Sequence, residues 1–476
     1  MDILQSSPYD KARGCSAPLV NIKMSEVEAW TPSRFNSRTN DAEGNTILWN
    51  SRSGSMSVIP ANKKDALEPF LSQEGRPGKL DAFGVYLKDR GYIVPKEANE
   101  YRQFRTLFGE QHYRSDVLEL ILLASEDCNL RCKYCYEEFL RGTMEEQVRA
   151  NVKKLVENRA SSLKRLGISW FGGEPLYGFE AIADLAPYFQ EIALKNSWKY
   201  SASMTTNGYL LTPDIAEKLI SWKVRNFQIT VDGLAEQHDV NRPARDGSGT
   251  FQTIFENLRA LKQTSQEFFV RLRVNFDRDT HPHLEKLLVL FQETFGPDPR
   301  FGVAFYGVGK WGGANDENLN VCGVFEANDI RAELQASASE KGLKFSTIAD
   351  RNLPGQGVCY AARPYNYVIG ADGKVMKCTV ALDKDPSNIV GLLGDDGNIQ
   401  LNDDRFAKWV DPAFESDTSC QKCHLLPSCQ GLSCPLLRFE HKTSPCAATV
   451  KHNLHNELIA AQNVRKATAR MVPVGA

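Results

Sequence analysis

The sequence predicts an α/β chain, in which an incomplete barrel of six strand–helix repeats lies between a small mixed module and a cysteine-rich C-terminal segment. Three observations predict it. Strand-length apolar segments alternate with helically spaced ones from about residue 116 to 345, the pattern of a parallel sheet covered by helices. Short extended stretches and turn residues precede that region. Beyond it the apolar periodicity weakens and six cysteines fall between positions 359 and 434. At 476 residues the chain is too long for one core, and two or three domains are expected. With 42% hydrophobic and 24% charged residues it is ordinary globular material rather than disordered chain. A formal net charge of −2 supplies no field toward nucleic acid or an anionic membrane. The opening MDILQSSPYDKARG lacks a basic stretch followed by an apolar one, and no apolar run is long enough to span a bilayer. The expectation is a soluble, cytoplasmic protein.

Residues 1–112 form the first unit. Asn45–Trp49 and Met56–Ile59 flank a Gly/Ser turn, which predicts a hairpin. Leu67, Phe70 and Leu71, then Leu80, Phe83 and Leu87, carry helical spacing, and Gly91–Pro95 reads as a closing strand. Strands, helices and a final strand describe a small winged-helix-like module. A DNA-binding version would need a basic recognition helix; the stretch from Leu80 to Arg90 sets Lys88 and Arg90 against Asp81 and Asp89.

Residues 113–345 hold the repeats. Strands are expected at Leu118–Ala124, Ile168–Phe171, Tyr200–Thr205, Asn226–Val231, Phe269–Val274 and Phe301–Tyr306. Helices are expected between them, one opened by Thr212 as cap and Pro213 in its first turn. Six repeats predict a closed or nearly closed barrel with its chemistry at the carboxyl ends of the strands. Residues 346–450 are cysteine-rich, with a hairpin around Asp372-Gly373. Such a segment buries little apolar surface, so metal clusters are expected to hold it together. Residues 451–476 read as a polar helical tail.

The twelve cysteines are grouped, and in a reducing compartment grouping points to metal rather than disulfides. Cys128, Cys132 and Cys135, spaced by three and two residues, follow the first strand. Three thiolates can wrap one face of a [4Fe–4S] cube and leave one iron open. A zinc site that borrows a fourth ligand is the alternative. Phe171-Gly172-Gly173-Glu174-Pro175 ends the second strand; the glycines allow close backbone approach and the carboxylate can accept from an ammonium group. Thr206-Asn207-Gly208 ends the third and Asp232-Gly233 the fourth, though Asn-Gly and Asp-Gly are also ordinary turns. His238-Asp-Val-Asn-Arg242-Pro243 follows.

In this CxxxCxxC loop, with Tyr134 before the last cysteine, the chain resembles the radical S-adenosylmethionine (SAM) superfamily. The resemblance implies a partial (β/α)6 radical SAM barrel whose three cysteines hold the cluster while SAM chelates the fourth iron. One electron then cleaves SAM to methionine and a 5′-deoxyadenosyl radical, which abstracts a substrate hydrogen. Tyr134, Gly172, Gly173, Glu174, Asn207, Asp232 and Arg242 inherit SAM-binding roles from matching motifs, with Arg242 suited to the SAM carboxylate as a bidentate guanidinium. The later cysteines resemble a SPASM domain, the extension that carries two auxiliary clusters in peptide and protein maturases. By that pattern Cys359, Cys378 and Cys434 hold the first, and Cys420, Cys423, Cys429 and Cys446 the second. The four-residue gap from Cys429 to Cys434 departs from the usual three. No cysteine stands just upstream of Cys359, so either Cys322 folds over to complete the first cluster or that iron stays open for substrate. A double zinc ribbon is the competing assignment.

The N-terminal module resembles the leader-recognition module of enzymes acting on ribosomally made peptides, which takes an extended peptide onto a strand edge. A plain structural cap is the alternative. The resemblance therefore implies a peptide maturase that installs a thioether or carbon–carbon cross-link, with a leader-bearing precursor peptide as substrate and flavodoxin or ferredoxin as reductant. Formylglycine formation, as in sulfatase maturases, is the second reading; a zinc-stabilised binding protein without catalysis is the third. The loop Tyr306–Gly313 is expected to lie opposite the cysteine loop and either to shape the substrate site or to serve as a plain connection. Cys15 and the histidines, His281, His283 and His424 among them, form no ligand pattern.

Overall fold

The computed structural model describes residues 29–72, 76–347, 353–441 and 454–464. Its centre is one ten-stranded sheet. Six parallel strands run in chain order: β7 (Val117–Ser125), β8 (Arg165–Gly172), β9 (Lys199–Thr206), β10 (Val224–Thr230), β11 (Phe269–Phe276) and β12 (Phe301–Gly307). Helices between them cover one face, because alternate strand residues such as Leu166, Ile168 and Trp170, or Val270, Leu272 and Val274, are apolar and fully buried on that side. Burying each such side chain contributes about 1.5–3 kcal/mol, so the helix-covered face sets the register of every strand.

The barrel does not close. Among the described strands β12 pairs with β11, its outer edge taking one isolated parallel bridge from Val303 to Phe345, and the other edge continues: β13 (Asn366–Ile369) adds parallel to β7, with Val368 opposite Ile121. β14 (Lys374–Met376), β15 (Ile389–Leu393) and β16 (Ile399–Leu401) follow antiparallel. The hairpin expected around Asp372-Gly373 is therefore present as part of the central sheet. Its residues Val368 and Met376 pack with Ile121 and Leu123 of β7 on the face the helices leave bare. That apolar patch occupies the edge where closure would otherwise be sought.

The N-terminal unit has two three-stranded antiparallel sheets. β1 (Ala29–Pro32) lies between β5 (Arg76–Pro77) and β6 (Ile93–Pro95); β2 (Asn36–Asn40), β3 (Thr46–Asn50) and β4 (Met56–Ile59) form a meander. Helices α1 (Lys64–Leu71) and α2 (Ala82–Asp89) pack Leu67, Phe70 and Leu87 against Trp30, Leu48 and Tyr92. Asp81 caps α2 by accepting from Gly84 N at 2.7 Å. A further helix, α3 (Glu100–His112), has no counterpart in the expected pattern. Its Phe104 and Phe108 join Phe35, Phe414, Leu426 and Leu432, which docks the N-terminal unit on the cysteine-rich segment. No helix among the described residues is long and apolar enough to cross a membrane.

Candidate active site

β7 delivers the cysteine loop, and its neighbours fix it. A Cβ on Gly172, where φ is +123°, would sit 2.0 Å from the Ser125 carbonyl oxygen, and one on Gly173 would sit 2.6 Å from that of Asp127. Gly173 N donates to Ser125 O at 3.1 Å and Glu174 N to Asp127 O at 2.9 Å. The backbone that needs these two glycines is the chain's own: the turn after β8 lies directly on the strand that carries Cys128. From the other side, Arg131 N donates to Pro243 O and Arg245 N to Asn129 O, both at 2.8 Å, and Lys133 N to Asn241 O at 2.9 Å. The loop is thus clamped between the turn after β8 and the segment after β10.

Cys128 is buried, and Cys132 and Cys135 are half-buried. Burial pushes Cys128 and Cys135 each up to about 12, and raises Cys132, whose ionisation Arg242 assists. Cys128 Sγ accepts from Leu130 N at 3.4 Å and faces Asn207 Nδ2 at 3.8 Å. Donors aimed at sulfur, with a cation nearby, favour thiolate, while burial disfavours it until a bound metal compensates the charge. The donor set therefore fits iron–sulfur ligation. Among the described residues no three His, Cys, Asp or Glu side chains close on a single-ion site.

Behind the loop lies a buried polar group. Tyr134 Oη donates to Asp232, accepts from Arg242 Nη1 at 2.7 Å, and meets Asn275 Nδ2 at 3.0 Å. Asp232 also accepts from Asn275 N at 2.8 Å, lies 3.9 Å from Arg242, and is fully buried. Burial raises its carboxyl against the pull of Arg242. Burial lowers Arg242, but the charges of Cys132, Tyr134 and Asp232 more than offset this and hold the guanidinium well above its usual range. Glu174, also fully buried, accepts from Leu176 N at 3.0 Å, Thr206 Oγ1 at 2.7 Å and Asn207 N at 2.7 Å. Three buried atoms around this group have no hydrogen-bond partner: Arg242 Nε, Asn129 Nδ2 and His238 Nε2. Unmet donors in a buried site are costly, and a polar ligand would satisfy them. So Tyr134, Gly172, Gly173, Glu174, Asn207, Asp232 and Arg242 all gather at one end of the sheet. The terminal nitrogen of Arg242, however, faces Tyr134 and Asp232.

Asn275 escaped the sequence reading. Its signal was the one that marked Asn207 and Asp232, a polar residue at the carboxyl end of a parallel strand. The loop after β12 does not stand opposite the cysteines but touches them. A Cβ on Gly313 would lie 2.5 Å from Cys135 O, and Asn315 Nδ2 donates to Lys133 O at 3.1 Å. The sheet is open between β12 and β7, yet loops bridge its carboxyl end.

In the cysteine-rich segment, Cys359, Cys378 and Cys434 lie near one another: burial pushes Cys359 up to about 12, and the charges of Cys434 and Cys378 add to this. Cys378 Sγ accepts from Val380 N at 3.4 Å. Cys420 and Cys423 bracket the end of a short helix, Thr418–Gln421, and Cys429 ends the next, Leu426–Cys429. The longer gap before Cys434 passes through Gln430 and Gly431, both left-handed, at φ 52° and 65°. Cys446, like Cys15, lies outside the described residues. Cys322 sits before the helix Val324–Glu340, where Glu326, Arg278 and Asp277 are the charges that act on it. The hydrogen bonds from Arg278 to Glu326 hold that corner.

An open six-stranded parallel sheet with a three-thiol loop after its first strand defines an iron–sulfur enzyme scaffold. Residues 122–290 match the family model of the Radical SAM superfamily, so this chain carries a radical SAM domain. It is 24% identical over 375 residues to the radical SAM cyclopropyl synthase TigE of Paramaledivibacter caminithermalis, covering 72% of this chain and 74% of that protein. It is 30% identical over 183 residues to a cysteine-type anaerobic sulfatase-maturating enzyme of Clostridium perfringens strain ATCC 13124, covering 37% of this chain and 48% of that one. The chain thus spans about half the length of its sulfatase-maturating relatives. In fold it is similar to native anSMEcpe with bound AdoMet and the Cp18Cys peptide, with a TM-score of 0.54 and 20% identity over 74% of this chain and 99% of that one. The relatives named here are a cyclopropyl synthase and sulfatase-maturating enzymes, and this chain is similar to them.

Proposed function

We propose that this chain is a radical SAM peptide maturase that takes a hydrogen from a ribosomally made precursor peptide and installs a cross-link. The observation that carries the reading is the clamped loop of Cys128, Cys132 and Cys135, with a buried polar group and unmet donors beside it. Those three cysteines would hold the SAM-binding [4Fe–4S] cluster. When bound, the cluster and SAM supply the electron and the 5′-deoxyadenosyl radical that together break an unactivated C–H bond. The chain's own residues do the rest. Glu174 and Asn207 present acceptors and donors at the ends of β8 and β9, while Tyr134, Asp232, Arg242 and Asn275 form a rigid, water-excluding wall. Asn129, Arg242 and His238 offer donors to a polar ligand.

Cys359, Cys378 and Cys434 would hold one auxiliary cluster, and Cys420, Cys423, Cys429 and Cys446 another. Either could accept an electron from the substrate radical, as bond formation with net loss of two hydrogens requires. Carbon–carbon bonding is favoured over thioether bonding, since the relative matched over 72% of this chain is named a cyclopropyl synthase and such a ring closes through carbon. The N-terminal unit, with β2 and β4 as open sheet edges, would take the leader of the peptide by strand addition. A flavodoxin or ferredoxin would supply the electron in the cytoplasm. Formylglycine formation is the second reading, supported by the 30% identity to a sulfatase-maturating enzyme within the core.

Anaerobic reconstitution tests the proposal. The expected protein is brown, absorbs near about 400 nm and holds roughly twelve irons if all three clusters are four-iron. With dithionite it converts SAM to 5′-deoxyadenosine, and Cys132→Ala does not. A colourless protein with stoichiometric zinc, or SAM cleavage undiminished in Cys132→Ala, would sink it. Mass spectrometry after co-expression with a small neighbouring reading frame then reads the bond, a cross-link appearing as loss of two hydrogens.

A further inference from the structure

We infer that Arg273, on the helix-free face of the sheet, is a carboxylate-binding post that selects peptides with an acidic residue near the modified position. The inference rests on the peptide-modifying reading above. Strand alternation places Arg271, Arg273 and Asn275 on the bare face of β11, since Val270, Leu272 and Val274 are buried under the helices. The Arg273 guanidinium is pre-set. Its Cζ lies over the Tyr306 ring of β12, 4.1 Å from the centroid, and its Nε donates to Asn275 Oδ1 at 2.8 Å. Asn275 is itself tied to Tyr134 Oη at 3.0 Å, which places this arginine one side chain away from the wall behind the cysteine loop.

Among the described residues, no hydrogen-bond acceptor or ion-pair partner takes its two terminal nitrogens. A guanidinium held by its Nε and one face, with its fork free, is the arrangement that accepts a planar carboxylate through two parallel bonds. The strands themselves carry no competing acid. β8 through β12 contain not one Asp or Glu, and Asp232, just beyond β10, is taken by Tyr134, Asn275 and Arg242. Arg271, exposed and two residues along the same face, adds a second positive charge. Between Arg271 and the apolar patch on β7 and β13, the face carries Ser169 and Ser203, bonded at 3.0 Å, and Gln228 in register with Arg271. An extended peptide would find hydroxyl and amide partners there, and one place for a negative side chain.

The test uses the reconstituted full chain at low ionic strength, with the fluorescein-labelled heptapeptide GSEGSEG and its counterpart GSQGSQG as probes in fluorescence anisotropy. The wild type is expected to bind the glutamate peptide roughly tenfold more tightly. Arg273→Gln should bind both alike, Arg273→Lys should keep part of the preference, and Tyr306→Leu, which keeps the charge but loses the stack, should reduce it less. Unchanged iron content and absorbance establish that each variant is folded. Equal binding of the two peptides by the wild type, or a preference surviving in Arg273→Gln, overturns the inference. The SAM Kd is measured in parallel; an equal weakening of SAM in Arg273→Gln would give the guanidinium to SAM's own carboxylate and overturn it too. Loss of SAM cleavage by the wild type would instead strike the peptide-maturase reading, which peptide binding alone does not probe.

Discussion

Gly172 has a positive φ, +123°, and its missing Cβ is the space through which Ser125 reaches the turn after β8. Gly172→Ala is therefore expected to shift the cysteine loop and reduce iron incorporation severalfold, with a stability loss of at least about 2 kcal/mol from strain and overpacking. Gly247→Ala is the control. It also has a positive φ, +86°, but nothing lies within 4 Å of its would-be Cβ, so it should cost about 1 kcal/mol and leave iron content unchanged. Tyr134→Phe removes the hydroxyl shared by Asp232, Arg242 and Asn275 and leaves Asp232 short of a donor. The expected outcome is normal iron content with SAM binding weakened on the order of tenfold, read by equilibrium dialysis. Unaltered SAM affinity would show that the hydroxyl serves only the fold. At this scale the motifs were legible, because cysteine spacing and strand-end polar residues are written directly in the chain. The partner of Arg242 was not, since a guanidinium's direction depends on which buried acceptor reaches it first.

Among the elements, α3 is the joint between the N-terminal unit and the cysteine-rich segment. Its His112 is buried, stacks on Phe108 with centroids 4.7 Å apart, and lies 3.4 Å from the Val410 carbonyl. Burial chiefly lowers it from 6.5 to about 4, helped by the charges of Arg363 and Lys377. The folded state thus prefers the neutral ring. Its contribution is fully present above pH 6.5 and is lost as pH falls toward 4, because the unfolded chain binds the proton first. Thermal unfolding should show about 3 kcal/mol of stability disappearing across that window, and His112→Phe should flatten that part of the curve. An unchanged acid slope in the variant would remove the histidine from the account. Helix α3 was missed in the sequence because its apolar residues, Phe104 and Phe108, form a narrow stripe that faces another unit and not a local sheet. The strands of the repeat region were readable, since their period-two and near-continuous apolar runs need no distant partner to be seen.

Across the whole molecule, the cysteine-rich segment is tied into both neighbours. Its hairpin extends the central sheet through β13, and Leu425 packs with Ile47, Trp49 and Met56 of the N-terminal meander and with Leu458 and Ala461 of the helical stretch 454–464. If clusters hold this segment, stripping iron anaerobically should raise hydrogen exchange in residues 413–434 and in β3–β4, while β8–β12 stay protected. Uniform protection before and after would mean that packing alone suffices there.

The sequence by itself determined the six strand–helix repeats, the three-thiol loop and the end of the sheet where chemistry belongs, because periodicity and short spacings act within a few residues. Tertiary structure alone decided that the sheet stays open and takes on β13, that Gly313 rests on Cys135, and that none of the described residues takes the Arg273 fork. These depend on which surfaces meet across hundreds of residues. Such contacts are settled by competition for burial and hydrogen-bond partners, and local pattern carries no record of that competition.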